Sequence, residues 1–474
     1  MRFSFRLIVF LPLEMCLGPF AILPLTMKQS YSRSSIRKYG HVVLIVFLAL
    51  WSGMATPSYG QQPPSGLDRD RGRAMLSAIK EDLKKSYYDP NFHGMDLDVR
   101  FKTATEKIKE AQSLGQIFGI IGQVLIELED SHTFFLPPGR TTRTEYGWQM
   151  QVIGDKCYVT AVKPGSDAAA KGLKEGDEIY SIDGRAPVRE NMWKLKYLYH
   201  ALRPQPGMRL VVIKPDGKQQ QLDVLAKVQQ HKRLVDLAGG DDIWNLIRES
   251  ENESRLHRHR YVDFGEELFV WKMPEFDLPR EGVDDLVDKF RKKKGLILDL
   301  RGNPGGYEES LLRLISNLFD HDVRLGDLKR RKETKPLLTK TRGDRTFAGK
   351  LIVLIDSESG SAAELFARVV QLEKRGTVIG DVSAGAVMRA RDYSHELGID
   401  IVAFYGVSIT DADIIMTDGK SLEHVGVTPE EIRLPSASDM AAKRDPVLAY
   451  AVSLFGLKIS PEKAGELFPL EWRK

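Results

Sequence analysis

The stretch LIVLIDSESGSAAELFA, residues 351–367, decides the architecture of this chain. Its first part is an apolar, β-branched run that predicts a buried strand, and the residues from 356 to 360 are turn formers. A helix begins after them, so Ser361 lies at a helix N-terminus, where free N–H groups and the helix dipole favour a developing negative charge. Two interpretations remain open: Ser361 is a helix N-cap, a frequent role of serine, or it is a nucleophile on a strand–turn–helix corner.

Strand and helix patterns alternate on both sides of this stretch. Such alternation predicts a mostly parallel sheet with helices packed on it, and therefore an α/β fold class. The charged segment at 329–344 is predicted to be a solvated excursion, and residues 439–457 are predicted to be helical. The other predicted elements are strands at 268–271, 295–300, 351–355 and 377–379 and helices at 282–293, 309–319 and 362–372.

The first 60 residues are typical of a leader. Four basic residues precede the apolar run at 42–51, and Ser58 and Gly60 are small residues suited to a cleavage site, as in a secretory signal peptide. Met27 is an alternative start. A membrane tether is the alternative to cleavage, although 42–51 is too short to span a bilayer and the run at 7–25 contains an acidic residue and three prolines. We therefore predict an exported protein, periplasmic or extracellular.

Composition excludes several classes of function. The 474-residue chain is 42% hydrophobic, which suits two or three domains. Residues 1–60 carry six basic residues and one acidic residue, so the rest has 63 basic and 64 acidic residues and gives no electrostatic case for nucleic acid. Cys16 lies in the leader, so Cys157 has no disulfide partner in the remaining chain. A single cysteine also excludes a metal site built from cysteine ligands. We predict neither a metal nor a cofactor.

A helical region is predicted between residues 67 and 128, where apolar residues recur at three- and four-residue spacing. It ends at the sequence EDSHT, residues 129–133. A histidine at the close of an apolar helix is more often a capping or packing residue than a base. The neighbouring hydroxyls of Ser131 and Thr133 slightly favour the role of a base for His132, because a catalytic base needs a neighbour that fixes its tautomer.

Short alternating strands follow between residues 146 and 228. The run VKPGSDAAAKGLKEGDEIYSIDG, residues 162–184, resembles a PDZ domain, the peptide-binding module of periplasmic proteases. The resemblance implies a loop whose backbone N–H groups bind the C-terminal carboxylate of a peptide by β-strand addition. Tyr146, Gly147 and Trp148 occupy the place of that loop. A structural or autoinhibitory role of the domain is the alternative.

A rigid loop is predicted at DLRGNPGG, residues 299–306, which combines three glycines with a proline. Together with DSESGSAAELFA (356–367), GDVSAGA (380–386) and LEHVGVTPE (422–430), it resembles the C-terminal processing, or tail-specific, serine protease family. That family includes tricorn protease and the modules of interphotoreceptor retinoid-binding protein. The resemblance, which covers roughly residues 87–434, implies a ClpP/crotonase-like catalytic core with an N-terminal helical region and an inserted PDZ-like domain.

The resemblance also implies roles for single residues. The nucleophile of the family matches Ser361, three residues before Glu364. Many members activate it with a lysine at the position of Ala386, so this chain cannot form the serine–lysine pair at that position. The tricorn-like branch uses a histidine that is preceded by a serine, and Ser131 and His132 match that pair.

The tricorn-like site is completed by a distant glutamate. Glu423 is the best match, although its motif also fits a structural role. The resemblance then implies that His132 is the general base and that Ser131 connects it to Glu423. The N–H groups of Gly305 and Ala362 would hold the oxyanion.

The predicted function is that of an exported serine endopeptidase acting on C-terminal or unfolded protein segments, which the PDZ-like domain would present. Its partners would be protein or peptide substrates. The alternative is a non-catalytic protein that binds peptides or apolar ligands on the same fold. The predicted domains are a leader (1–60), an N-terminal helical region (61–140), a PDZ-like domain (141–228), an α/β peptidase core (229–436) and a C-terminal helical tail (437–474).

Overall fold

The computed structural model describes residues 64–140, 142–230, 258–398 and 403–472. The predicted leader, and with it Met27 and the proposed cleavage site, lies outside these residues. Within them, no helix combines the length and the apolar character that crossing a bilayer requires.

The N-terminal helical region consists of three helices around a shared apolar core. Each helix begins at a side chain that accepts a hydrogen bond from the third N–H after it, namely Ser65, Asp96 or Ser113. The same core includes Phe135, in the strand that follows, and Val407, in a long strand near the C-terminus with which it pairs. The elements are α1 (Gly66–Ser86), α2 (Leu97–Glu110), α3 (Leu114–Ile126) and β1 (Phe134–Leu136).

An inserted domain follows between residues 142 and 230. Its elements are β2 (Thr142–Glu145), β3 (Trp148–Ile153), β4 (Lys156–Val162), α4 (Asp167–Ala170), β5 (Glu178–Ile182), α5 (Met192–Tyr197), β6 (Gly207–Ile213), β7 (Gln219–Leu225) and β8 (Lys227–Gln230). Strands β3 to β7 form one sheet in chain order, so β3 lies at its edge. The chain enters the domain through β2 and leaves it through β8. These two strands are antiparallel, and Thr142 lies opposite Gln230.

The core domain is built on a six-stranded sheet in the order β18-β15-β14-β11-β10-β9. The elements of the domain are β9 (Arg260–Phe264), β10 (Leu268–Lys272), α6 (Arg280–Phe290), β11 (Gly295–Asp299), α7 (Glu308–Leu318), β12 (Val323–Arg330), β13 (Thr334–Thr339), β14 (Lys350–Ile355), α8 (Ala362–Leu372), β15 (Gly376–Gly380), β16 (Met388–Leu397), β17 (Ala403–Met416), β18 (Glu431–Ile432), α9 (Ala437–Ala441), α10 (Pro446–Ser453) and α11 (Pro461–Leu467). All neighbours in this sheet are parallel except β9 and β10. The predicted mostly parallel sheet is therefore confirmed.

The charged segment at 329–344, predicted to be a solvated excursion, is mostly exposed and belongs to a second sheet. Strands β12 and β13 form a hairpin, and β12 pairs with β17, which also pairs with β1 and β16. The buried leucines of β12, Leu325 and Leu328, precede the charged segment, in which only Leu337 is buried in the core of the domain. The segment is thus solvated as predicted, and most of it forms the end of β12 and the strand β13.

Parallel pairing brings the two sequence motifs of the core together. Asp299 at the end of β11 is in register with Leu354 near the end of β14, so the loops after these strands leave the sheet side by side. The Gly360 N–H donates to the Asn303 carbonyl at 2.9 Å. The DLRGNPGG loop therefore lies directly against the turn that carries Ser361.

Candidate active site

Ser361 occupies a strained corner between β14 and α8. Its backbone has φ 49° and ψ −116°, a conformation that costs free energy in a non-glycine residue and is often found at functional sites. Its hydroxyl makes no cap hydrogen bond, because the Glu364 N–H donates to the Ser361 carbonyl at 3.0 Å instead. The hydroxyl at this N-terminus is thus not used for capping.

The glycine loop touches the Ser361 corner through Gly305. A Cβ on Gly305, where φ is +114°, would lie 2.6 Å from the Cβ of Ser361 and 2.9 Å from the Ala362 nitrogen. Only glycine permits this approach. The Gly305 N–H already donates to Asn303 Oδ1 at 2.8 Å, whereas the Ala362 N–H donates to no described residue. Of the two predicted oxyanion donors, Ala362 is therefore unoccupied and Gly305 is engaged.

Glu364 is the centre of a buried network under the corner. Its Oε2 accepts the N–H groups of Ser361 and Ala386, each at 3.0 Å, and its Oε1 accepts from Ser383 Oγ at 2.6 Å and from the Gly385 N–H at 2.7 Å. Burial raises the pKa of Glu364 to about 7, although these hydrogen bonds lower it. The carboxylate thereby fixes the backbone of Ser361 to the loop at 383–386.

Glu364 should make activity sensitive to pH around neutrality. Below about pH 7 the carboxyl gains a proton and can no longer accept all four hydrogen bonds, so we expect kcat to fall. Stability should follow the opposite sign, because a carboxyl whose pKa is raised in the folded state stabilises the fold less as the pH rises from about 4.5 to 7.

The variant Glu364→Gln tests this expectation. It should lower kcat by about tenfold above pH 7 and remove the contribution of Glu364 to both trends, since its amide cannot ionise. Rate profiles and denaturant unfolding from pH 5 to 9 measure the two trends. A wild-type profile in the variant would contradict the assignment.

His132 lies in the turn after α3 and is almost fully buried, with 4% of its surface exposed. Ser131 Oγ donates to Glu423 Oε2 at 2.9 Å and is 2.8 Å from His132 Nδ1. Because the hydroxyl proton points to the carboxylate, Nδ1 must carry the proton that Ser131 accepts. His132 Nε2 is then the lone-pair nitrogen, and it is buried without a hydrogen-bond partner in the described residues.

Glu423 is held from several sides although it lies 292 positions from Ser131. Its Oε1 accepts the Ser131 N–H at 2.8 Å, and its Oε2 also accepts the Val387 N–H at 2.8 Å. Burial, with the nearby charge of Asp130, raises the pKa of Glu423, while the proximity of His132 acts against the rise. Glu423 is therefore positioned by the backbone and coupled to the histidine through Ser131.

One peptide group connects the two halves of the site. The carbonyl of the 386–387 peptide accepts the Ser361 N–H at 2.9 Å, and the N–H of the same peptide donates to Glu423. The structure thus joins the predicted nucleophile to the Ser131–His132–Glu423 chain through the backbone. Ser361 and His132 are not hydrogen bonded to each other, because His132 Nε2 has no partner among the described residues.

The loop predicted to bind peptides is mostly interior. The Tyr146 hydroxyl donates to the Tyr199 carbonyl at 3.1 Å, Trp148 is buried, and a Cβ on Gly147 would lie 2.5 Å from that of Ser166. The groove that begins at these residues, between β3 and α5, has only about 10 Å³ of free space. The loop therefore has backbone groups, rather than these side chains, to offer a peptide.

The inserted domain contacts three consecutive residues of the turn at 356–360, here called the nucleophile turn because it leads to the predicted nucleophile. The sequence did not indicate these contacts. Gln151 Nε2 donates to Asp356 Oδ2 at 2.7 Å, and Lys196 Nζ donates to Glu358 Oε1 at 2.6 Å. Between them, the Ser357 hydroxyl donates to a carbonyl of β3. Position along the chain gave no signal for these contacts, since they span about 160 to 205 residues.

A larger cavity of about 420 Å³ lies between β3, the ends of the core strands and the C-terminal helices. It borders Asp356 and Glu358, but neither Ser361 nor His132 lines it. The chemistry is therefore assigned from the hydrogen-bond geometry and not from the size of this cavity.

Comparison with known proteins identifies two domains in the chain. Residues 270–432 match peptidase family S41, and residues 138–193 match the PDZ domain. The chain therefore carries an S41 peptidase domain and a PDZ domain, and it is a serine-type peptidase. The family, the α/β fold with a PDZ domain and the class of enzyme predicted from the sequence are confirmed.

Named relatives make the family relationship more specific. The carboxy-terminal-processing protease of Bartonella bacilliformis is 26% identical over 374 residues, which cover 75% of this chain and 78% of that protein. The tail-specific protease of Haemophilus influenzae is 24% identical over 65% of this chain, which spans only 44% of that protein. The crystal structure of mature CPAF shares the fold, with a TM-score of 0.59 and 15% identity over 79% of this chain and 95% of CPAF.

Proposed function

We propose that this protein is an exported serine endopeptidase in which Ser361 is the nucleophile and His132 the general base. The observation that carries the proposal is the state of His132, whose Nε2 is buried without a partner while its Nδ1 is hydrogen bonded to Ser131. A general base requires an imidazole in which one nitrogen is hydrogen bonded and the other has a lone pair without a partner. Export rests on the layout of the leader at residues 1–60.

The proposed reaction is acyl transfer in two steps. His132 Nε2 takes the hydroxyl proton as Ser361 Oγ attacks the peptide carbonyl, and it then gives that proton to the leaving amine. Water hydrolyses the acyl-enzyme by the same proton transfers in reverse. The two side chains would come into hydrogen-bonding distance in the substrate complex, since such bonds often tighten only when substrate is bound.

The oxyanion would be held at the start of α8. The Ala362 N–H is unoccupied there, and the positive end of the helix dipole favours the developing charge. The Gly305 N–H could contribute only if it exchanged its bond to Asn303 for the oxyanion. Ser131 and Glu423 would stabilise the imidazolium that forms on His132.

A serine-reactive fluorophosphonate probe tests the proposal against the alternative of a non-catalytic binding protein. We expect the native protein to be labelled at Ser361, because only an activated hydroxyl attacks the probe. Mass spectrometry of the digested protein locates the label, and heat-denatured protein is the control. Absence of labelling, or labelling at another serine, would overturn the assignment.

The proposed substrates are C-terminal or unfolded segments of proteins, presented by the PDZ domain. The support is the position of β3 at the edge of its sheet, next to the loop at 146–148, where a peptide strand could be added once the narrow groove beside α5 widens. Because β3 and α5 also contact the nucleophile turn, a peptide bound there would lie close to that turn.

Recognition of a C-terminus should appear in KM. A peptide substrate with a free α-carboxylate should have a KM about tenfold lower than the same peptide ending in an amide, because the amide loses a charge-assisted hydrogen bond. Steady-state kinetics with the matched pair measure the difference, and a pair lengthened at the other end controls for size. Equal KM values would indicate that the PDZ domain has a structural role.

A further inference from the structure

A second buried carboxylate, Asp130, lies beside the proposed base and has no part in the mechanism so far. It is 1% exposed, and its Oδ1 accepts the N–H groups of His132 at 2.9 Å and of Thr133 at 3.0 Å. Thr410 Oγ1 donates to the same oxygen at 2.7 Å, and the Tyr87 hydroxyl donates to Oδ2 at 3.0 Å. Four donors on one buried carboxylate are suited to its ionised form.

These contacts connect the turn of His132 to two other elements. Tyr87 follows the last residue of α1, and Thr410 belongs to β17. The Thr410 N–H also donates to Thr133 Oγ1 at 3.0 Å. The turn itself begins at Glu129 with a φ of 52°, so it is not held by regular secondary structure. Asp130 is therefore the group that fixes the backbone of His132.

The negative charge of Asp130 also acts on Glu423, the carboxylate that Ser131 connects to His132. This charge contributes to the raised pKa of Glu423 and, after burial, to the raised pKa of Tyr87. Glu423 reaches His132 only through Ser131, whereas Asp130 is bonded to the backbone of His132. Titratable groups in the turn and on the elements that contact it include Glu129, Asp130, Glu423, His424, Tyr87, Tyr88 and Asp413.

We propose that Asp130 is a positioning residue of the active site, which fixes the backbone of His132 and acts by its charge on Glu423, the partner of Ser131. The inference rests on the proposed function, since it requires His132 to be the base. A purely structural carboxylate would support the turn, but its charge would have no effect on the pH dependence of the reaction.

The variant Asp130→Asn separates these roles. Its amide oxygen can still accept the backbone N–H groups, and the Tyr87 hydroxyl can rotate to accept from its NH₂, so the fold is expected to persist. We expect kcat to fall about tenfold with KM unchanged. The acid limb of the kcat/KM profile should move to lower pH by about half a unit or more, because loss of the negative charge disfavours protonation of Glu423, which is connected to the base through Ser131.

A matched control is Asp177→Asn in the inserted domain. Asp177 is also 1% exposed and accepts from the Lys174 N–H and from Lys214 Nζ, far along the chain from His132. It should lower the melting temperature and leave the acid limb in place. Should Asp130→Asn fail to fold, Tyr87→Phe and Thr410→Val, which each remove one donor, should each lower kcat about threefold at constant KM.

The outcomes are distinct. An unshifted acid limb in folded Asp130→Asn, alongside an inactive His132→Ala, would overturn this inference and leave the proposed function intact. Unchanged kcat in both donor variants would do the same. Activity retained in His132→Ala would overturn the proposed function and this inference with it.

Discussion

Ser361→Ala is expected to lower kcat for peptide hydrolysis by on the order of 10⁴-fold or more and to leave stability unchanged within about 0.5 kcal/mol. The activity falls because the nucleophile is removed. Stability should persist because the hydroxyl makes no cap hydrogen bond at the start of α8. Hydrolysis of an unfolded protein substrate and denaturant unfolding of the variant measure the two quantities.

Ser436→Ala is the matched control, because Ser436 is a true N-cap. Its hydroxyl accepts the Asp439 N–H at 3.1 Å at the start of α9. Loss of this cap should cost about 1 kcal/mol of stability and leave kcat unchanged. If Ser361→Ala lost stability like Ser436→Ala but kept its activity, the N-cap interpretation of Ser361 would be correct.

His132→Ala is expected to lower kcat about as far as Ser361→Ala does, and the double variant should be no worse than either single variant. The reason is that the nucleophile and its base act as a unit, so removal of one makes the other ineffective. The acid limb that reports on the base should also disappear from the remaining rate. Rates of peptide hydrolysis between pH 5 and 9 for the three variants measure this.

His395→Ala is the control for loss of a partly buried histidine. His395 lies 2.6 Å from Asp82 through its Nε2, in the contact between β16 and α1. Its loss should reduce stability and leave the pH profile of kcat unchanged. An active His132→Ala with reduced stability would identify His132 as the capping or packing residue that its position at the close of a helix also allows.

The sequence predicted best where one pattern controls one element. The strands at 295–300 and 351–355 and the helix at 362–372 are runs of apolar residues with clear breaks, and the structure has each of them within one residue or so. The antiparallel sheet escaped prediction because its partners are far apart, as in the pairing of Asp327 with Ile415. The charged segment at 329–344 also lacks an alternating apolar pattern, since Leu337 is its only buried residue.

The residues of the candidate site also differ in whether the local sequence predicts them. Ser361 could be singled out from its own strand–turn–helix corner, whereas Ser131 and Glu423 could be named only through family resemblance, because nothing local signals a contact across 292 positions. The hydrogen bond from the Gly305 N–H to Asn303 Oδ1 could not be predicted, because it depends on the local backbone conformation and not on a residue pattern. For Asp130, the only available signal was its place beside Ser131 and His132.

The peptide between residues 386 and 387 has a consequence for how such sites can change in evolution. Both of its hydrogen bonds are made by the backbone, so the connection is indifferent to the side chain at 386. A planar amide keeps its carbonyl and N–H at a fixed separation whichever residue bears it. Alanine, or the lysine that the family resemblance implies at this position, can therefore occupy position 386 without any loss of this connection.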